Sequence, residues 1–474
     1  MEQAVNFLND IIWSKALIYL CLGTGLWFSV RTRFLQVRHF GLMARLLFRG
    51  TSSDRGVSPL QAFALAISGR VGTGNIAGVA AAIAMGGPGA VFWMWTIAFL
   101  GAGSAFVEAA LAQIWKEEIG GQFRGGPAYY IERGLGMKWY AVLFAITTVV
   151  ATGLLLPGVQ ANSIGSAVEN AFSLPPVWTG GIVAALLGLI IFGGIKRIGR
   201  AAQLMVPFMA GGYILMALVV TVVHLGEVPA MFALIFKSAF GAEAAFGGIV
   251  GMAISWGVKR GIYSNEAGQG TAPMAAGAAE AKHPAAQGLV QAFSVYVDTW
   301  FVCSATAMMI LLTGTYNVAD PSGGFITEGL PGVVHGPGFT QAAVDSVLPG
   351  VGSAFVAIAL FFFAFTTLMA YYYYSETSLA YLRRNAASPK LFHALRFLFL
   401  GVVFYGTFHT ADVAWAMGDV GVGLMAWLNI IAILLLTRPA LACLRDYESQ
   451  LKAGKEPVYV ARTAGVDNAT LWRR

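Results

Sequence analysis

Two long apolar stretches of this 474-residue chain are interrupted by glycine where a membrane-crossing helix should be most regular. One interruption reads SGRVGTGNIAG from Ser68 to Gly78, the other SWGVKRGIYSNEAGQG from Ser255 to Gly270. In hydrocarbon every backbone N–H and C=O needs a partner within the protein, so unwound backbone survives only where protein or a solute site surrounds it. Paired breaks at comparable places in the two halves predict a binding site near the membrane midplane, and a secondary transporter built from inverted repeats.

The composition fits a polytopic membrane protein. Hydrophobic residues make up 57% and charged residues only 11%, against about 25% charged in a soluble domain. The formal charge of +7 does not describe a nucleic-acid surface, because nearly all the basic residues fall between or after apolar runs. Cys21, Cys303 and Cys443 are too widely spaced for a disulfide framework or a zinc site and read as packing residues. Glu2 and Asp10 precede the first apolar run and no basic leader accompanies them, so that run is expected to be a retained span.

Eleven segments are long enough to cross about 30 Å of hydrocarbon. They run near Ile11–Val30, Pro59–Met85, Ala90–Trp115, Tyr140–Val168, Val177–Gly194, Leu204–His224, Gly247–Tyr263, Gln287–Leu312, Gly352–Tyr374, Leu391–Phe408 and Val413–Leu436. Lysine and arginine set the orientation. With the N-terminus outside, the inner side holds Arg31 to Arg55, Lys116 to Lys138, Lys196 to Arg200, Lys259 and Arg260 at a span end, Lys282, Arg383 to Arg396 and the tail from Arg438. Only Lys15 and Lys237 remain outside, and the joint from Tyr316 to Pro349 has no basic residue. A bacterial-type inner membrane, with the C-terminus cytoplasmic, is the expected location.

Setting the first span aside leaves ten, with a glycine-broken span at the head of each five. Five is odd, so the second set must cross in the opposite sense. The organisation expected is an extra helix and basic loop (1–56), a first five-helix repeat (57–224), an external amphipathic segment (225–246), a second, inverted repeat (247–437) and a polar, partly mobile cytoplasmic tail (438–474). A short surface helix is expected over Met231–Ala245, and the turn-rich stretch Pro331–Gly338 has the length to fold over the outer mouth. Tyr371 to Tyr374 read as part of an interfacial aromatic belt.

At the first break, Gly72 and Gly74 flank Thr73 and let the backbone leave helical geometry at small steric cost. Unwinding frees carbonyls on one side and N–H groups on the other, which suits a zwitterion. The N-terminal end of the resumed helix favours a carboxylate by about 0.3–1 kcal/mol. Freed carbonyls suit an ammonium group or a cation, and Thr73 and Asn75 can add side-chain hydrogen bonds. Close helix packing through small residues is the plainer alternative. A dinucleotide loop is excluded, because it requires a preceding strand.

The strings SGRVGTGNIAG and NEAGQGTAP, with GGP at Gly86–Pro88, resemble the alanine or glycine:cation symporter family. That resemblance, which covers nearly the whole chain, implies an all-α, LeuT-type fold of two inverted five-helix repeats and uptake of a small neutral amino acid, alanine or glycine, with Na+ as coupling ion. It implies substrate contacts at Thr73, Gly74, Asn75 and Gln160, and at the second broken span near Ser255, Trp256 and Gly257. It implies a Na+ site at Thr366 and Thr367 with backbone oxygens near Ser68 and Val71. Gln160 stands out on its own account, since an amide among apolar residues is costly unless hydrogen-bonded.

Five charges, Arg70, Glu108, Glu266, Asp298 and Asp419, lie in or near spans. Each must pair or line a cavity, because lipid exposure costs about 2.5–3.5 kcal/mol on insertion scales. Arg70 is a candidate gate bridging to an acidic partner. Asp298 is a candidate second ion or proton site, with a structural ion pair as the alternative. The same solutes could move with H+ instead of Na+. Asp298 and Asp419 superficially suggest an intramembrane aspartyl protease, and an uncoupled channel is a further reading; paired broken helices have no place in the first and a solute pocket disfavours the second.

Overall fold

The computed structural model describes residues 2–47, 56–384, 389–408, 411–462, 465–466 and 468–472. Arg49 and Arg55, counted above as inner basic residues, lie outside the described residues. The structure is mostly helical: α1 (Lys15–Arg31), α2 (Pro59–Arg70), α3 (Gly74–Gly86), α4 (Gly89–Ile114), α5 (Lys138–Phe172), α6 (Pro176–Ile191), α7 (Gly194–Val223), α8 (Val228–Ala239), α9 (Val250–Asn265), α10 (Ala272–Ala278), α11 (Pro284–Thr313), α12 (Gly352–Leu382), α13 (Pro389–Gly406), α14 (Ala411–Leu435) and α15 (Thr437–Lys452). By length and composition α4, α5, α7, α11, α12 and the Val413–Leu435 part of α14 are able to cross a membrane.

Local sequence accounts for the key ends. The α2 helix starts on a capping box, with Ser58 accepting from the Gln61 N–H and Gln61 returning the bond, and Pro59 takes the first helical position. In α5 a π turn spans Ala151–Leu155, just before Pro157. Proline lacks an N–H and its ring crowds the carbonyl four residues earlier, and a widened turn relieves both.

The α4 helix is the central strut, packed along α1, α9, α10 and α11. On the other side α5 runs along α12, α13 and α14, and α6 lies on α13. One face of the bundle carries α8 and the 316–350 segment; the other carries α15 and the hairpin of β1 (Glu117–Ile119) and β2 (Gln122–Arg124). We call these the loop face and the tail face. The loop segment holds a second hairpin, β3 (Asn317–Ala319) with β4 (Phe325–Glu328), and then a helix, Pro337–Val347, that packs on α12. The amphipathic α8 begins three residues earlier than expected and buries Met231 and Ile235.

One expectation is corrected. Tyr371 to Tyr374 do not form an interfacial belt: α12 continues to Leu382, so all four tyrosines fall inside it and are 0–2% exposed. Over its described residues the tail is hydrogen-bonded to the bundle. Tyr459 N–H donates to Lys282 O (3.0 Å), Ala461 N–H to Trp472 O (2.9 Å) and Trp472 Nε1 to Gln113 O (2.9 Å), which lays the tail across the ends of α4 and α11.

Candidate transport site

The first break lies between α2 and α3. Val71 leaves helical geometry (ψ 89°) and Gly72 continues the unwound segment; Thr73 is helical again (φ −55°, ψ −30°) and leads into a π turn, Gly74–Gly78. Neighbouring helices satisfy the loosened backbone. Gly72 N–H donates to Asn75 Oδ1 (2.8 Å), and Thr73 N–H donates to Gln160 Oε1 (3.0 Å) from α5. A side chain on Gly72 would collide with Thr367 Oγ1 and come within 3.0 Å of Gln160 Oε1, which explains the glycine. Thr73 Oγ1 is buried and has no hydrogen-bond partner. Such an orphan typically costs about 1–3 kcal/mol, so a polar ligand here would remove a penalty already present.

The second break lies at Glu266–Thr271, between α9 and α10. Glu266 adopts a left-handed conformation (φ 55°), as do Gly268 (83°) and Gly270 (90°). The break therefore lies beyond Ser255, Trp256 and Gly257, which sit inside continuous α9 helix. Gly257 is instead a packing glycine, since a Cβ there would stand 2.6 Å from Trp93 Cβ. Glu108 and Asn429 hold the true break open: Gly268 N–H donates to Glu108 Oε1 (3.2 Å), and Asn429 Nδ2 donates to Gly268 O (2.9 Å) and Glu108 Oε2 (2.8 Å). Asn429 was not singled out in the sequence; an amide in an apolar run was the available signal.

Beside the first break, Thr367 Oγ1 lies 2.8 Å from Ser68 O, 3.4 Å from Val71 O and 3.0 Å from Phe363 O. One hydroxyl proton cannot serve three acceptors, so oxygen lone pairs are in surplus, as a hard cation requires. Thr366 is turned away from this cluster, toward Phe363 O (3.0 Å) and Met209 Sδ (3.6 Å).

Above the breaks, a cavity of about 650 Å³ opens toward the loop face, and Gly332 to Gly338 form part of its wall. Its floor is a charged cluster. Arg260 pairs with Asp419 through two bonds (2.9 and 3.1 Å), and Lys259 Nζ reaches the same carboxylate at 2.7 Å. Lys259 and Arg260 therefore do not stand at a span end but are mid-helix residues of α9. The Arg260 guanidinium lies over Trp415 (4.6 Å), Trp256 (5.1 Å) and Tyr263 (5.6 Å), and the Tyr263 ring in turn borders Gly74. Trp256 thus belongs to the cavity, one layer above Thr73, Gly74 and Gln160, which are buried. Arg70 makes no direct ion pair among the described residues, although its charge acts on the buried Glu108, Glu266 and Asp298; its Nη1 donates to Gln291 O (3.1 Å) and to Ser294 Oγ on α11.

Two broken helices, a closed polar site between them and a charge-paired floor beneath an open cavity describe a carrier. A profile of the sodium:alanine symporter family matches residues 1–461. The chain belongs to that family. A Bacillus subtilis (strain 168) relative described as a putative sodium/proton-dependent alanine carrier, YrbD, is 60% identical over 474 residues, which is 100% of this chain and 98% of the relative. The sodium/proton-dependent alanine carrier of Bacillus sp. (strain PS3) is 52% identical over 431 residues, covering 91% and 97% of the two chains. Among solved structures, a point mutant of a manganese transporter from Eremococcus coleocola superposes with a TM-score of 0.55 at 12% identity, covering 80% of this chain and 79% of that one. That likeness concerns the fold alone, and it agrees with the LeuT-type architecture.

For a symporter of this family the protease reading falls away. Asp419 is held by two cations in the cavity floor, while Asp298 accepts from Asn75, Ser264 and Thr299, so the two aspartates serve separate clusters.

Proposed function

We propose that this symporter brings a small neutral amino acid, alanine or glycine, into the cell together with Na+ by alternating access. The observation that carries the reading is the first break. There Thr73 keeps an unpartnered hydroxyl beside the Gly72 and Thr73 N–H groups and the Gln160 amide, and freed carbonyls of Ser68 and Val71 stand next to Thr367. Thr73, Gly74 and Gln160 receive the solute, with Tyr263 as its lid. Asn75 shapes the break, since both of its polar atoms are engaged within the protein. Thr367, Ser68 O and Val71 O hold one Na+, and Thr366 only supports the helix.

The loop face is outside and the tail face cytoplasmic, giving eleven spans with an extra first helix. The gathering of basic residues at the tail face supports this sidedness. The two five-helix repeats are supported by the packing of α4 on α11, α5 on α12 and α6 on α13, each helix against its counterpart. Proton coupling is a second reading, favoured by the relatives described as sodium/proton-dependent. Equilibrium binding of labelled alanine to the purified protein separates the possibilities. Binding should strengthen with Na+ at fixed pH, and Thr73→Val should weaken it about tenfold, the loss of one buried hydrogen bond. Unchanged binding in Thr73→Val would place the solute elsewhere.

A further inference from the structure

Positive charge at the tail face outruns its partners in one place. A cavity of about 570 Å³ opens where the end of α1 meets α15, lined by Arg31, Arg33, Arg38, Arg445 and Lys452 with one carboxylate, Glu448. Glu448 is already engaged by Arg38 (2.8 Å) and His39 (2.9 Å). Arg31, Arg33, Arg445 and Lys452 are exposed, and none of them pairs with a carboxylate among the described residues. A basic surface on one side of a membrane protein follows from orientation alone. Five cations around one hollow do not, because like charges so gathered repel. The backbone is bent to bring them there: Arg33 (φ 55°) and Phe34 (52°) are both left-handed, a conformation that side chains adopt only at a cost. The Arg38 side chain holds this turn by donating to Arg33 O (2.8 Å) and Thr32 O (2.9 Å).

We propose that this hollow seats the headgroup of an anionic phospholipid, one with two phosphates in preference to one, whose acyl chains run along the exposed side of α1. Charge is the first support. Five cations against one carboxylate leave the hollow at +4, and a headgroup with two phosphodiesters brings two negative charges to it. A phosphatidylcholine headgroup would add its own quaternary ammonium to the excess. Guanidinium groups take phosphate oxygens through paired N–H donors, and Arg31, Arg33 and Arg445 have theirs free of carboxylates.

The apolar surface that leads into the hollow is the second support. One side of α1 packs on α4, α9 and α14. On the other, Tyr19, Leu26, Trp27 and Val30 are exposed at helical spacing and form one stripe. Within the stripe a side chain at Gly23 would meet nothing within 4 Å, so the surface is recessed there. Val30 ends the stripe in the wall of the cavity, and the Arg31 guanidinium lies over the Trp27 ring at 5.2 Å. An indole beside a cation whose stem crosses apolar surface is characteristic of the boundary between hydrocarbon and headgroups. A soluble phosphate would answer the charge and leave the stripe unused. A second copy of this chain would bring a further set of cations to the same place. The lipid also has a structural consequence: it would join α1 to α15, whose other side is held by Asp446 on His283 (3.0 Å).

The test is titration of the full-length protein in dodecyl maltoside with a fluorescent cardiolipin, with unlabelled cardiolipin, phosphatidylglycerol and phosphatidylcholine as competitors. Cardiolipin should compete best, phosphatidylglycerol less well and phosphatidylcholine least. Arg33→Gln and Arg445→Gln should each weaken cardiolipin binding about fivefold, the worth of one basic residue near an anionic lipid. Both side chains are exposed and unpaired, so the variants should fold. Arg200→Gln, an exposed arginine of α7 that does not line the hollow, should bind as wild type does. Phosphatidylcholine competing as well as cardiolipin, or wild-type affinity in Arg33→Gln and Arg445→Gln, would overturn the proposal. An equal loss in Arg200→Gln would overturn it too, by making the attraction one of diffuse charge over the whole face. Displacement of the lipid by millimolar inorganic phosphate would make the hollow a soluble-anion site and refute the lipid assignment, and phosphatidylglycerol equal to cardiolipin would refute the preference for two phosphates.

Discussion

The cavity floor yields an asymmetric prediction. Asp419 is 3% exposed and neutralises two cations, Arg260 (4% exposed) through a bidentate pair and Lys259 at 2.7 Å. Asp419→Asn removes the counter-charge that both buried cations share, leaving only Asp10 to act on Lys259, and removing one partner of a buried pair in this way costs about 3–5 kcal/mol. Arg260→Met leaves Asp419 bound to Lys259 and fills the space among Trp256, Tyr263 and Trp415 with an apolar chain; only charge-assisted bonds are lost, worth about 1.5–3 kcal/mol. The aspartate variant should therefore be the less stable of the two by about 2 kcal/mol, although both remove the same pair. The assay is unfolding in detergent, read alongside labelling of Thr73→Cys by a membrane-impermeant thiol reagent. Background labelling should be low because Cys21, Cys303 and Cys443 are buried, and both floor variants should let the introduced thiol label faster than the intact floor allows. Equal destabilisation by the two substitutions, or greater harm from Arg260→Met, would refute the charge argument.

Three further outcomes follow from the geometry. Gln160→Ala removes the acceptor of the Thr73 N–H and should raise the alanine concentration for half-maximal uptake about tenfold, for a loss of about 1.4 kcal/mol; normal uptake kinetics would remove Gln160 from the site. Thr367→Val should raise the Na+ requirement much more than Thr366→Val, because Thr367 alone faces Ser68 O and Val71 O; a Na+ titration of uptake in the two variants decides it. At the tail face, burial pushes His283 down to about 4, and the ring is kept neutral because its Nδ1 accepts the Ala285 N–H. A depressed histidine gives stability that is present above its unfolded value of about 6.5 and is lost as pH falls toward the folded value. Protonation removes the acceptor of the Ala285 N–H and charges a buried ring, which the Asp446 carboxylate at 3.0 Å offsets only in part, so the start of α11 and the tail packed on it should loosen between pH 6.5 and about 4, seen as faster proteolysis at Lys452 and Lys455; a His283→Gln variant should lose that pH response.

The first break was legible because its cause is local: Gly72 lies in the unwound segment and Gly74, two residues on, opens the π turn that restarts the helix. The second was mis-centred for an equally physical reason. Gly257 and Gly261 look like helix breakers, but they serve close packing against Trp93 and against Ile97, while the real break turns on Glu266 in a left-handed conformation. Its supports, Glu108 and Asn429, lie 160 and 161 residues from Gly268, beyond any local pattern. Likewise the four tyrosines of α12 read as a surface belt because aromatic clusters usually mark an interface, and only the packing of α12 against α5 and α2 shows them to be interior. Asp298 was visible as an odd charge, yet its meaning depended on Asn75, 223 residues away.

The central claim is coupling, and accumulation tests it most directly. Proteoliposomes carrying the purified protein, given an inward Na+ gradient at equal pH on both sides, should concentrate labelled alanine above its external level and release it when the gradient is collapsed. Equilibration without accumulation, or accumulation that persists when only a proton gradient is supplied and Na+ is absent, would contradict the account.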